Sequence, residues 1–138
     1  MTLTPGVSAT LSWTVEERHC TRRGSHSIFS TPNLVHLIED AAIGALEDFL
    51  GPDEGSVGSK VSISHVAPTL KGASVTATAT VTEVDRRRVV FRVSAQDPNG
   101  LIGEGTHERF IINLDKFGAK LTKLESRAEV ESLVELES

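Results

Sequence analysis

Apolar residues recur at helical spacing from Thr31 to about Leu50. With ~100° of rotation per residue, Leu34, Ile38, Ala41, Ala42, Ala45, Leu46, Phe49 and Leu50 cover more than half of a helix circumference. His36, Asp40, Gly44, Glu47 and Asp48 fill the rest. Thr31 suits the N-cap and Pro32 the first helical position, where no backbone donor is missed. Gly51-Pro52 stops the helix. Glu39 breaks the pattern. It falls between Leu46 and Leu50, inside the apolar arc, while its neighbour Asp40 points to the polar side. A carboxylate there must be paired, kept neutral by desolvation, or turned towards a cavity.

Elsewhere the period is two. Leu11-Ser12-Trp13-Thr14-Val15 alternates as a half-buried strand does. After Gly55, Val57, Val61, Ile63 and His65 share one strand face, and Lys60, Ser62 and Ser64 the other. From Ala73 to Val84, Ala73, Val75, Ala77, Ala79 and Val81 point inward, and Ser74, Thr76, Thr78, Thr80 and Thr82 outward. Val89, Phe91, Val93 and Ala95 form the inward side of the next strand. Pro98-Asn99-Gly100 is a turn, and Leu101 to Asn113 makes a last long strand. Arg18 to Ser30 is basic and aperiodic, which predicts a loop acting as a lid or entrance. Ser126-Arg127-Ala128-Glu129 reads as a capping box for a short helix through Leu133, Val134 and Leu136. The order is strand, helix, then four antiparallel strands, an α+β layer architecture in one domain over residues 1–138. About five strands have to wrap the one central helix, which is the hot-dog arrangement.

Bulk composition narrows the function classes. The chain has 138 residues, 38% of them hydrophobic and 24% charged, the balance of an ordinary globular domain. A formal net charge of −5 argues against a nucleic-acid partner, and the absence of Tyr removes an obvious stacking surface for bases. No apolar run reaches the ~18 residues of a membrane span. The start, Met1-Thr2-Leu3-Thr4-Pro5-Gly6, lacks signal-peptide character. Cys20 is the single cysteine, so no intrachain disulfide forms, in keeping with a cytoplasmic location.

His65 shares its strand face with Val61 and Ile63, so its imidazole is directed at the apolar side. A lone inward histidine is more often a satisfied core residue than an acid–base group. Together with Glu39 and a hydroxyl at the helix start, it can complete an acid–base site, where the helix N-terminus adds free N–H donors for a carbonyl. On one regular helix, however, Thr31 and Glu39 stand ~12 Å apart along the axis. Either regular helix begins later, or the two groups serve opposite ends of a substrate or act across a dimer interface. Other constellations are weaker. His19-Cys20 with His26 lacks zinc-ligand spacing, so no metal is expected. Arg22-Arg23 and Arg86-Arg87-Arg88 can meet phosphates, although turn arginines are commonly just solvated. Glu104 and Glu108, with His107 between them, are expected to reach solvent or an interface.

Further motifs mark a resemblance from roughly Ser27 to Lys120. They are Gly55-Ser56-Val57-Gly58, the strand ending at His65, and Val93-Ser94-Ala95 followed by Asp97. Gly103-x-Gly105-Thr106-His107-Glu108-Arg109 and Lys116-Phe117-Gly118-Ala119-Lys120 complete the set. In these the chain resembles the fluoroacetyl-CoA thioesterase family of the hot-dog thioesterases. The resemblance implies a catalytic Thr31, Glu39 and His65, a backbone-donating Gly58 beside the thioester and a site arginine at Arg109. It implies hydrolysis of a small acyl-CoA, with CoA as part of the substrate and no separate cofactor, in a homodimer. The rival readings are a hot-dog hydratase or dehydratase that leaves the thioester intact, and a non-catalytic acyl-CoA binding protein.

Overall fold

The computed structural model describes residues 2–137 and, near the C-terminus, the side chains up to residue 129 and of Glu131. The helix α1 spans Thr31–Leu46. Its cap is Ser30, not Thr31. Ser30 is extended (φ −79°, ψ 151°), and its hydroxyl accepts from the Asn33 N–H at 3.3 Å and the Asn33 side-chain amide at 2.8 Å. Thr31 is therefore the first helical residue, and its hydroxyl is left free for other work. Regular helix stops at Leu46, a 3₁₀ turn covers Glu47–Phe49, and Leu50 is already extended.

Strands β1 (Ser8–Thr14), β4 (Glu54–His65), β5 (Ser74–Asp85), β6 (Arg88–Asp97) and β7 (Gly100–Asn113) form one antiparallel sheet in the order β1-β5-β6-β7-β4. Alternation placed the inner faces of β5 and β6 correctly. Val75, Ala77, Ala79, Val81, Val89, Phe91, Val93 and Ala95 are each at most 1% exposed, as are α1's Leu34, Leu37, Ile38, Ala41, Ala42 and Leu46. The small strand residues let the helix sit close. At Gly103 an added Cβ would come within 2.8 Å of the Leu34 side-chain tip, so glycine lets that leucine pack directly on the strand. This is the expected wrapping of one helix by a five-stranded sheet.

Strand β4 departs from the alternation. A bulge between Gly58 and Lys60 shifts its register against β7, so that Gly58 pairs with Arg109 and Val61 with His107. Gly58 therefore joins Val61, Ile63 and His65 on the inner face, while Val57 changes to the outer one. Strand β4 is also an edge of the sheet, and Val61 remains 38% exposed.

The segment Arg18–Ser30 is not an irregular loop. A 3₁₀ turn at Glu17–His19 leads into a hairpin of β2 (Cys20–Arg23) and β3 (His26–Phe29), turning at Gly24 with φ +59°. His19 (4% exposed) stacks on Trp13 at 4.9 Å between ring centroids, and Phe29 is buried. The Phe29 N–H donates to the Thr69 carbonyl at 2.8 Å, tying the hairpin to the main body. Its own short ladder was hidden in sequence by polar residues.

The second helix, α2, covers Leu114–Glu137 and begins well before the expected capping box, which lies inside it. Asn113 caps it instead, its side-chain oxygen accepting from the Lys116 N–H at 3.0 Å. The side chains of Leu133, Val134 and Leu136 lie outside the described residues.

Because Ser30 is the cap, Ser30→Ala is expected to lower unfolding free energy by about 1 kcal/mol. Thr31→Ala should leave that cap intact. Urea midpoints check the assignment, and an unchanged midpoint in Ser30→Ala would reverse it.

Candidate active site

Helix α1 carries two reactive-type side chains, and each meets a different end of β4. At its first turn, Thr31 Oγ1 lies 2.8 Å from His65 Nδ1. Burial holds the His65 pKa below its ordinary 6.5, offset only in part by the Ala67 backbone, so the ring is neutral at pH 7. Its Nε2 is buried without a hydrogen-bond partner among the described residues. A buried nitrogen left in that state is costly unless a further group completes it. Thr31 and His65 line one cavity of about 280 Å³, together with Arg23, Phe29 and Pro68.

Two turns along, Glu39 enters a second cluster. Arg109 Nη1 donates to Glu39 Oε2 at 3.3 Å, where the Arg109 side chain is only 5% exposed and that of Glu39 36%. The carboxylate inside the apolar arc is thus paired and still partly open. Arg109 is held on its other edges, where Nε donates to Ser56 Oγ at 3.0 Å and Nη2 to the Ser56 carbonyl at 3.1 Å. Burial lowers the Arg109 pKa, and the nearby Glu39 charge opposes this.

His107 completes the cluster. In sequence it stands in a run with Glu104 and Glu108 expected to reach solvent or an interface, but its ring points inward and is only 1% exposed. Its Nδ1 is 2.8 Å from the Lys60 carbonyl, which can only accept, so Nδ1 carries the hydrogen. Burial is the main cause lowering its pKa, and the neutral ring leaves Nε2 to accept from Arg109 Nη1 at 3.3 Å. A neutral histidine therefore helps aim the guanidinium at Glu39. Sequence reasoning missed His107 and Ser56 as site residues, although His107 occupies the same strand face as Arg109.

Gly58 touches this group directly. A Cβ there would stand 3.0 Å from Glu39 Oε2, 3.2 Å from Arg109 Nη1 and 3.3 Å from His107 Cε1. All five residues marked in sequence are accounted for, but in two groups. Thr31 pairs with His65, whereas Glu39, Gly58 and Arg109 cluster separately. The arginines of the Arg86–Arg88 turn are engaged with acids: Arg86 with Asp85, Arg87 with Glu54, and Arg88 with Glu83 and Glu108. Among the described residues, no group of His, Cys, Asp or Glu side chains is placed to hold a metal, and no helix is long and apolar enough to cross a membrane.

Comparison with known proteins gives this geometry a family. Residues 11–115 match the model of the fluoroacetyl-CoA-specific thioesterase family. The chain belongs to that family. It is 45% identical over 94 residues to a fluoroacetyl-CoA thioesterase of Streptantibioticus cattleyicolor, covering 68% of each chain. A solved fluoroacetyl-CoA thioesterase superposes with a TM-score of 0.83 at 35% identity, over 89% of this chain and 98% of the other. A Thermus thermophilus member of the thioesterase superfamily gives a TM-score of 0.86 at 29% identity, over 92% and 96%. A hot-dog-like protein of Thermanaerovibrio acidaminovorans gives 0.79 at 26% identity, over 86% and 90%. The hot-dog fold expected from the sequence is the fold observed.

The crowding at Gly58 supplies a test. Gly58→Ala inserts a methyl between Glu39 and Arg109 and is expected to slow thioester hydrolysis about tenfold or more, since sub-ångström misplacement of reacting groups is costly. Circular dichroism should be unchanged. Full activity in the folded variant would remove Gly58 from the site.

Proposed function

We propose that the chain hydrolyses a small acyl-CoA thioester to the free acid and CoA, using Thr31, Glu39 and His65. The observation that carries the reading is the Thr31–His65 pair, a neutral imidazole hydrogen-bonded to a hydroxyl beside a cavity, with its second nitrogen unpartnered. Family membership supports the reaction class. Thioester cleavage suits this modest apparatus because the leaving thiolate is stable, a free thiol titrating near ~8.5. Glu39 either attacks the carbonyl, giving an acyl-enzyme anhydride that water then hydrolyses to the free acid, or activates a water as general base, with Arg109 keeping the carboxylate aimed. His65 carries the proton to the departing sulfur, and Thr31 orients the ring or the substrate. The Gly58 N–H, with the donors opening α1, would bind the developing oxyanion.

The two groups of residues support a homodimer as the working unit. Glu39 lies ~12 Å along α1 from Thr31, and His65 is seven residues beyond Gly58 on β4, up to ~23 Å of strand. Strand β4 has an unpaired edge. Two copies of β4 pairing antiparallel about a two-fold axis at Ser62 keep inner-face residues opposite inner-face residues and would set His65 of one protomer beside the bulge that follows Gly58 of the partner subunit. That partner also brings its own Glu39, so each protomer would supply half of each site.

Release of thiol from a panel of acyl-CoAs, followed with a chromogenic reagent, tests the reaction. Wild type should release CoA, and Glu39→Gln and His65→Ala should not. Mixing and reassembling the two inactive variants distinguishes the arrangement. Heterodimers would contain one intact shared site, so about a quarter of wild-type activity returns; no recovery would place each site within one protomer. A lack of thiol release by wild type from every acyl-CoA would reject the thioesterase reading, and hydration of an enoyl-CoA in its place would favour a hydratase.

The pH profile carries a sign. Activity requires neutral His65, whose pKa lies below 6.5, so the rate should hold as pH falls from 7 past 6.5 and collapse only at lower pH. An acid limb above 6.5 would show that His65 is not the group titrating, or that it works protonated.

A further inference from the structure

Resting on the thioesterase reading, we propose that Arg23 makes the cavity beside Thr31 and His65 a pocket for an acyl group ending in a carboxylate. The preferred substrate class is then a short dicarboxylic acyl-CoA, its thioester carbonyl at His65 and its distal carboxylate on the Arg23 guanidinium.

Four observations meet at this cavity. First, Arg23 is the only formally charged side chain lining it, against a floor that includes the apolar Phe29, Ala67 and Pro68. A neutral acyl chain has no use for a cation there, whereas a carboxylate has. Second, Arg23 forms no ion pair among the described residues. Arg18, Arg86, Arg87, Arg88 and Arg109 each pair with a carboxylate, and of the arginines that do not, such as Arg22 and Arg92, it is Arg23 that lines this cavity. In a chain of net charge −5 an arginine without an acidic partner is a site of local positive potential.

Third, the guanidinium is oriented. Arg23 Nη1 donates to the Arg22 carbonyl at 2.8 Å, leaving the remaining donors of its fork for a planar bidentate acceptor. The backbone beneath is fixed by the Arg23–His26 pairing and by Gly24 in the left-handed region. Fourth, the cavity is small. About 280 Å³ takes a chain of a few carbons but not a nucleotide. The phosphates of CoA are separated from the sulfur by the whole pantetheine arm. An anion that reaches Arg23 while the carbonyl sits at His65 is therefore part of the acyl group. Arg23 touches no reacting atom in this scheme; it sets specificity.

The test compares thiol release from succinyl-CoA, malonyl-CoA, acetyl-CoA and butyryl-CoA by wild type and Arg23→Gln. Binding of free succinate and butyrate, read from the His65 ring resonances, runs in parallel. Arg23 is exposed, so its replacement is not expected to disturb folding. Wild type should favour the carboxylated substrates, and Arg23→Gln should lose about tenfold in kcat/KM on them alone, the scale of a charge-assisted hydrogen bond at an open site. Arg23→Lys should recover only part of the loss. Succinate should shift His65 at lower concentration than butyrate, and the difference should vanish in the variant. Equal losses on all four CoA esters that disappear with truncated pantetheine thioesters would assign Arg23 to the CoA phosphates and overturn the proposal. Unchanged selectivity in an active variant would overturn it while leaving the thioesterase reading in place. If no thioester is cleaved, that reading fails, and the succinate arm still decides whether Arg23 binds a carboxylate.

Discussion

Covering α1 is the constraint on which the rest of this structure depends. Its apolar surface is too wide for one neighbour, so the sheet must curl around it, and each strand facing it must offer a smooth, closely packed inner side. Alanines on β5 and β6 and Gly103 on β7 provide that closeness. The consequence is that any polar atom on the same arc must find an answer from the sheet or be left at great cost. Glu39 finds Arg109, and Thr31 finds His65. Both polar pairs sit where the helix faces β4 and β7, at the open edge of the sheet.

The two polar meetings are electrostatically unlike. Around Glu39, a guanidinium is locked by Ser56 and a neutral His107, so a full charge is met by a full charge. Between Thr31 and His65 a neutral hydroxyl meets a neutral ring, and one ring nitrogen remains unanswered. On the proposed reaction this division is useful. The guanidinium holds the carboxylate in place for work at the carbonyl, and the imidazole stays free to take and return a proton.

Much of this was legible in the chain. Strict alternation in β5 and β6 identified the inner face residue by residue, because both faces there are decided by burial alone. Glu39 and His65 stood out because each violated the polarity of its own surface. Other features were hidden for physical reasons. Thr31 and Ser30 are chemically near-equivalent caps, and only the geometry showed Ser30 taking that role and releasing the Thr31 hydroxyl. The β2–β3 hairpin is short and largely polar, so no hydrophobic period announced it. Helix α2 begins among Lys and Asp residues and leaves Leu114, Leu121 and Leu124 exposed, which blurs the usual one-sided pattern. His107 looked like one member of a charged run, because a single inward position between two outward acids has no signature of its own.

The bulge in β4 has a consequence for how the chain can change. Gly58 and His65 differ in parity along the strand, yet both face α1 because one extra residue intervenes. Remove that residue and every side chain on one flank rotates to the opposite surface, sending either Glu39's neighbour or the imidazole out of the interior. The spacing between these positions is thus a counted quantity. Substitutions at Ser59 can be absorbed more readily than its deletion, and the length of β4 is as strict a requirement as any side chain it carries.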